Sequence, residues 1–172
     1  MQPASSHEAR FADWMEAHAG IVAKVARAHA QAEREREDLA RELTYQIWLS
    51  VPRFAGHASP ATWIYRVCLN TAMTWRRDAG RRSRRHDPDS DLSVLPSTAP
   101  GPATAAERTD LLECVFTALR ALPEFDRSLL LLQLDGLAYR EIAEVTGLTE
   151  NHIGVALNRA RQRLTAHLKG IV

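Results

Sequence analysis

The sequence has few cysteines and no long apolar run. Its only cysteines, Cys68 and Cys114, lack the CxxC or Cys/His spacing of a metal site. No run approaches the ~18 apolar residues that span a bilayer. Glu8 and Asp13 beside Arg10 also interrupt any apolar block of the kind found in a secretory signal. We therefore expect a soluble, cytoplasmic protein with no membrane insertion and with two core thiols.

Sequence motifs of enzymes are missing as well. The seven histidines are scattered along the chain. No motif pairs a nucleophile with a base, and no glycine-rich loop is suited to hold a phosphate. We therefore predict a protein that is not an enzyme and that has no cofactor and no bound metal.

One segment is rich in proline and poor in large apolar residues. Four prolines fall within residues 86–104, together with several acidic residues, and this composition is typical of a flexible linker. No part of the chain shows the alternating pattern of a β-strand. The sequence thus predicts an all-α protein of two helical domains, with an N-terminal bundle at residues 1–85, a linker at 86–107 and a C-terminal helix-turn-helix domain at 108–172.

Apolar residues at helical spacing mark the individual helices. Pro52 ends one helix because proline cannot continue a helix interior, and Pro60 suits the first turn of the next. A turn with Gly56 separates the two. The predicted helical segments are 11–26, 37–50, 60 to the arginine cluster, 110–122, 124–134, 139–146 and 149–168.

The last two segments have the pattern of a helix-turn-helix. Ala143 suits a close helix crossing, Gly147 can adopt the left-handed conformation that ends a helix, and Ile153 anchors the second helix. Thr149 can cap that second helix. The pattern leaves a polar outward face for reading a DNA groove, with Glu150, Asn151, Asn158, Arg161 and Gln162. A helical hairpin in a bundle has the same pattern and remains the alternative.

Positive charge is concentrated in two places, although the net charge is only +1. Residues 53–85 contain eight arginines and a single acidic residue, Asp78, and residues 155–172 carry three arginines and one lysine without an acid. Such clusters are typical of polyanion binding, but they also occur as solvated faces.

Aromatic and cationic residues are mixed in the first basic segment. Phe54 lies beside Arg53, and the following helix carries Trp63, Arg66 and Asn70. Aromatic faces stack on unpaired bases, arginines follow phosphates, and an amide can bond a base edge. Trp63 is better explained as a core residue of an amphipathic helix, whereas for Asn70 a core polar residue is the alternative.

Two blocks of residues occur in order along the chain. The first runs from Glu37-Asp38-Leu39 through Pro52-Arg53-Phe54 to Thr62–Val67 and Asn70. The second runs from Leu122-Pro123 through Asp135-Gly136 and Glu141-Ile142-Ala143 to Leu164. With these two blocks, the chain resembles the extracytoplasmic-function (ECF) group of bacterial sigma factors, in which the first block is similar to region two and the second to region four.

The resemblance implies a sigma factor that directs the RNA polymerase core to promoters and opens promoter DNA as part of a stress response. It implies contacts with the clamp helices of β′ and the flap of β, and with duplex and single-stranded promoter DNA; whether an anti-sigma factor also binds stays open. The implied polymerase contacts are Asp38, Leu39, Arg41 and Glu42. The implied minus-ten contacts are Arg53, Phe54, His57, Ser59, Arg66, Asn70, Arg76, Arg77, Arg81 and Arg82, and the implied minus-thirty-five contacts are Thr149, Asn151, His152, Asn158, Arg159 and Arg161.

The sequence departs from the family pattern at several positions. Arg41 replaces a common glutamine, and Ala138 replaces a common serine cap. In the second helix of the motif, Gly154, Val155 and Ala156 replace a cation, a serine and an arginine of many members. A helix-turn-helix regulator that binds duplex operator DNA, without being a polymerase subunit, is the alternative function.

Overall fold

In the computed structural model, the backbone is described for residues 6–83 and 103–169, and the side chains for residues 6–78 and 110–169. Within these ranges the backbone is helical, with no strand, which confirms the predicted all-α class. The elements are α1 (Ser6–His29), α2 (Glu33–Ser50), a short 3-10 helix (Val51–Arg53), α3 (Pro60–Ser83), α4 (Ala103–Ala121), α5 (Glu124–Leu134), α6 (Tyr139–Thr146) and α7 (Glu150–Lys169).

Three helices begin earlier than the sequence pattern predicts. Helix α1 begins at Ser6, five residues before the predicted start. Helix α2 begins at Glu33, where the Glu35 carboxylate accepts a hydrogen bond from the backbone N–H of Ala32 at 3.4 Å. Helix α4 begins at Ala103, inside the segment predicted as linker. Three alanines at its start, all strong helix formers, account for this difference. Helix α4 therefore overlaps the C-terminal end of the predicted linker, and linker residues 86–102 lie outside the described part of the chain.

The first three helices form a bundle with a continuous apolar core. Val25 of α1, Leu39 of α2 and Cys68 of α3 are completely buried in it. Burial raises the pKa of the Cys68 thiol to about 12, so this group stays protonated and unreactive at neutral pH. Cys68 is thus the core thiol that the sequence predicts, whereas Cys114 is only half-buried.

Helices α4 to α7 form a second bundle whose corner is held by a buried arginine. Arg127 of α5 donates hydrogen bonds to the carbonyl oxygens of Leu119, Arg120 and Leu122 at 3.0, 2.8 and 2.9 Å. These are carbonyl groups at and just beyond the end of α4, which have no partner further along that helix. Burial and the neighbouring charge of Arg76 lower the pKa of Arg127 to about 10, so it remains a cation at neutral pH.

The turn between α6 and α7 has the predicted helix-turn-helix geometry. Gly147 has a φ of +76°, the left-handed conformation that glycine adopts at little cost. The hydroxyl of Thr149 accepts a hydrogen bond from the N–H of His152 at 3.4 Å, as expected of a residue that caps α7. At the start of α6, Ala138 has no side-chain acceptor, and its own N–H donates to the Glu141 carboxylate at 2.8 Å.

The two bundles pack against each other. Helix α1 contacts α4 and α5, and helix α3 contacts α6. The sequence had suggested two modules that are joined only by a linker, but the structure adds this direct interface. Within the described residues, no helix combines the length and the apolar character needed to cross a membrane.

Candidate functional site

A cavity lined by aromatic and cationic side chains lies where the loop before α3 meets that helix. Its volume is about 380 Å³, within the ~300–1,000 Å³ common for ligand pockets. We call it the aromatic groove. It is lined by Arg53, Phe54, Ala55, His57, Ala58, Thr62, Trp63 and Arg66 from the N-terminal half, and by Glu144 of α6.

Two tryptophans hold Phe54 in place in this groove. The Phe54 ring meets Trp14 edge-on at 5.0 Å between ring centroids, and Trp63 at 5.7 Å. Trp63 is fixed in turn because its indole N–H donates to the Ser50 hydroxyl at 3.0 Å. Phe54 is only partly buried, so its ring is positioned by the core and still lines the groove. Trp63 therefore packs against the core, as predicted, and also lines the groove.

Asn70 is exposed, but it lies in a different cavity from Phe54. That cavity, the α2–α3 groove, has a volume of about 530 Å³. The sequence analysis assigned both residues to minus-ten DNA, and the structure places them in two separate grooves. Arg66 and Asn70 are four residues apart on α3, so they lie on the same side of this helix one turn apart. The α2–α3 groove is lined by Asp38, Glu42, Gln46, Asn70, Thr71, Thr74, Trp75 and Asp78.

The outer face of α2 carries a small charge network. The Arg41 guanidinium donates to the Asp38 carboxylate at 2.9 Å and lies 3.5 Å from the Glu37 carboxylate. The Glu42 carboxylate accepts a hydrogen bond from Gln46 at 2.9 Å. Arg41, which departs from the family pattern, therefore neutralises part of the negative charge of this face.

The predicted phosphate-binding arginines follow α3 toward its C-terminal end. Arg76 and Arg77 are exposed, and Arg76 lies 3.4 Å from the Glu124 carboxylate of α5. Arg81 and Arg82 belong to the last turn of α3, but their side chains lie outside the described part of the structure.

The outward face of α7 is polar, as predicted. All six residues expected at the minus-thirty-five element are exposed. Arg161 donates to the Gln133 amide oxygen at 3.0 Å, which holds its side chain against α5. Val155 is 71% exposed in the middle of this face and is its most exposed apolar side chain.

Comparison with protein families identifies both halves of the chain. A family model described as Sigma-70 region 2 matches residues 14–82, and one described as Sigma-70 region 4 matches residues 112–164. The ECF RNA polymerase sigma-E factor of Haemophilus influenzae is 26% identical over 134 residues, which cover 74% of this chain and 71% of the relative. The factor of the same name from Escherichia coli K12 is 25% identical over 146 residues, or 78% and 74% of the two chains. The chain belongs to the ECF group of sigma-70 factors.

Solved structures of similar fold support the same arrangement of helices. The sigma factor RpoE from Bartonella quintana, solved in complex with the anti-sigma factor NepR, matches with a TM-score of 0.69 at 20% identity, over 93% of this chain and 97% of that chain. CnrH, solved in complex with the cytosolic domain of CnrY, matches with a TM-score of 0.64 at 22% identity, over 93% and 88%.

Two of the region 2 residues predicted to contact a partner have structural roles. Leu39 is completely buried, so the prediction that it contacts polymerase is wrong in this fold, because its side chain faces α1 and α3 as part of the core. The Ser59 hydroxyl accepts a hydrogen bond from the N–H of Thr62 at 3.1 Å. This contact makes Ser59 a cap of α3. Its side chain is nevertheless exposed, so the predicted contact with minus-ten DNA stays a prediction.

The structure also reveals surface residues of this sigma factor that the sequence analysis missed. Tyr45 and Leu49 are 55% and 41% exposed and lie one turn apart on α2, beside Arg41. The signal in the sequence was an apolar pair four residues apart, outside the buried stripe of Leu39 and Leu43. Glu144 in the aromatic groove had no sequence signal, because only the packing of α6 on α3 brings it there.

Proposed function

We propose that this sigma factor uses the aromatic groove of region 2 to hold an unpaired base of the opened promoter and the outward face of α7 to read duplex DNA upstream. It directs the RNA polymerase core to specific promoters and starts transcription there. It has no catalytic role of its own, because the polymerase forms the RNA chain.

The observation that carries this proposal is the position of Phe54 in the aromatic groove. A ring held edge-on by two tryptophans offers a fixed stacking face, which lowers the entropy lost when a base binds. Base–aromatic stacking contributes about 1–3 kcal/mol per base. Arg53 and Arg66 line the same groove and supply the positive charge that follows the backbone of a single strand.

Asn70 and the arginines of α3 extend this surface. Asn70 lies one turn beyond Arg66, where its amide can bond the edge of the neighbouring base. Arg76 and Arg77, further along the helix, are suited to the phosphates next to it.

Helix α7 combines polar and apolar contacts for a major groove. Asn151 and Asn158 lie on either side of Val155 at helical spacing, and all three are exposed. Asparagine side chains can bond an adenine edge bidentately, and an apolar side chain can contact the methyl group of thymine. Arg159 and Arg161 are placed to bind the flanking phosphates.

The outer face of α2 is the proposed contact with the polymerase core. Asp38, Arg41 and Glu42 supply its charged groups, and Tyr45 and Leu49 supply exposed apolar area next to them. Exposed apolar side chains in the centre of a charged patch are typical of protein interfaces. Because it acts on the polymerase, we place the protein in the cytoplasm.

Reconstituted transcription tests this function. Core polymerase with the protein should produce transcripts from a defined set of genomic promoters, and core polymerase alone should not. Sequencing of those transcripts identifies the promoters. If the protein binds operator DNA as a dimer and neither co-purifies with core polymerase nor supports transcription, it is a duplex-binding regulator instead.

A further inference from the structure

Acidic residues of region 4 bind the N-terminal half of the chain directly. The Glu113 carboxylate of α4 accepts hydrogen bonds from Arg27 of α1 at 2.6 Å and from Arg36 of α2 at 3.2 Å. Partial burial alone would raise the pKa of Glu113, but hydrogen bonds from Arg27 and Arg120 and the charge of Arg36 lower it to about 2. Glu113 is therefore fully ionised at neutral pH and links three helices through charge-assisted hydrogen bonds.

A second acidic position links the same two halves. The Asp135 carboxylate, just after α5, accepts hydrogen bonds from the Tyr65 hydroxyl of α3 and the Lys24 ammonium group of α1. Nearby, the Glu124 carboxylate lies 3.4 Å from the guanidinium of Arg76. Arg76, which is proposed to bind a promoter phosphate, is thus paired with Glu124 of region 4.

A further acidic side chain reaches the aromatic groove itself. Glu144 of α6 lines this groove together with Phe54 and Arg66. Its carboxylate lies 3.6 Å from the guanidinium of Arg140 on the same helix. A single strand that entered the groove would bring phosphates of like charge close to Glu144. The Glu124 and Glu144 carboxylates of region 4 therefore lie next to the cationic surface that we assign to single-stranded DNA.

The outward face of α7 is not covered in the same way. Helix α7 packs on α4, α5 and α6 through its buried side, with Ile153 and Leu157 completely buried. Asn151, Val155 and Asn158 remain exposed on the opposite side. The packing of the two halves therefore affects one DNA-binding surface and leaves the other accessible.

We propose that region 4 masks the aromatic groove in the isolated chain, so that single-stranded DNA competes with Glu144 and Glu124 for the same surface. Several contacts across the interface are partly exposed ion pairs. Such pairs are individually weak and can be exchanged for other partners. Opening of this interface then precedes the capture of an unpaired base. The proposal rests on the proposed function of the groove.

Binding of a short labelled single-stranded DNA of mixed sequence to the full chain tests the masking. The double variant Glu124→Gln/Glu144→Gln removes the two competing charges, one from a partly buried and one from an exposed position. Its affinity for the single strand should rise about fivefold or more, the lower range of typical coupling between sites. The control is Asp13→Asn/Glu16→Gln, which changes the net charge equally at exposed positions of α1 that belong to neither DNA-binding surface. Affinity for duplex DNA should change equally in both variants.

A second pair of substitutions loosens the interface without altering the groove. Glu113→Gln/Asp135→Asn should increase the radius of gyration in small-angle scattering, keep the helical circular dichroism, and raise single-strand affinity. The proposal is overturned if neither variant binds the strand more tightly than the control, or if the chain expands without any gain. A chain that gains affinity on opening, but yields no promoter-dependent transcript with core polymerase, would contradict the proposed function and leave the masking intact.

Discussion

Tyr65 of α3 donates its hydroxyl hydrogen to the carboxylate of Asp135 just after α5, 70 residues further along the chain. The Tyr65 side chain is almost completely buried, so a core residue of region 2 anchors region 4. A hydroxyl that is buried with a partner is costly to leave unpaired, and a bond to a charged group is stronger than one between neutral groups.

Removal of this hydroxyl should destabilise the protein. Tyr65→Phe keeps the ring and deletes one hydrogen bond to a carboxylate, so the free energy of unfolding should fall by about 1.5–3 kcal/mol. Urea denaturation followed by circular dichroism measures this change. Tyr45→Phe is the control, because the Tyr45 side chain is exposed on α2. Equal effects of the two substitutions would show that the contact with Asp135 contributes nothing.

Stability should also depend on His29, which is buried between the two bundles. Burial and the charges of Arg127 and Arg76 lower the pKa of His29 from 6.5 to about 3, and neither ring nitrogen has a hydrogen-bond partner. Below pH 6.5 the unfolded chain takes up a proton that the folded chain excludes, so the folded state loses stability as the pH falls toward 3. Above pH 6.5 the group is neutral in both states and has no effect.

The size of this effect can be measured between pH 7.5 and 5.5. The His29 contribution should lower the unfolding free energy by about 1.4 kcal/mol over this interval, the equivalent of one pKa unit. His29→Asn should show a correspondingly smaller pH dependence. An unchanged slope in the variant would mean that other groups account for the acid sensitivity.

Promoter opening and polymerase binding should respond to different residues. Asn70→Ala removes a group proposed to bond a base edge, so it should reduce open-complex formation by about 10-fold and leave affinity for core polymerase unchanged. Glu42→Ala, across the α2–α3 groove, should mainly reduce core binding. Permanganate footprinting measures opening, and titration with labelled core measures affinity. An equal loss of both properties in Asn70→Ala would contradict the role assigned to this residue.

Upstream DNA binding should depend on salt through the arginines of α7. Arg159→Ala should weaken binding of duplex promoter DNA across sequences and reduce the slope of log affinity against log salt by about 1, since one phosphate contact is lost. Arg161→Ala should have a smaller effect, because Arg161 is held by Gln133. Arg10→Ala, on α1, is the control. A loss confined to one base pair would indicate base reading in place of phosphate binding.

The local pattern of residues determined most of the secondary structure. The ends of α5 and α6 agree with the sequence prediction, because proline, glycine and acidic residues act on the few backbone groups next to them. The exposed face of α7 follows from helical periodicity for the same reason. Leu39 shows where local motifs are insufficient: it lies between predicted contact residues, but the packing of α1 and α3 on α2 buries it.

The chain by itself thus specified an all-α protein with a helix-turn-helix, two basic segments and the residue types of a sigma factor. Only the tertiary structure decided that Phe54 and Asn70 lie in separate grooves, that Glu144 enters the first of them, and that Asp135 meets Tyr65. Helical periodicity reports which side of a helix is apolar, but not which other helix covers it. Contacts between residues far apart in sequence depend on how the two bundles pack, and no local pattern encodes that packing.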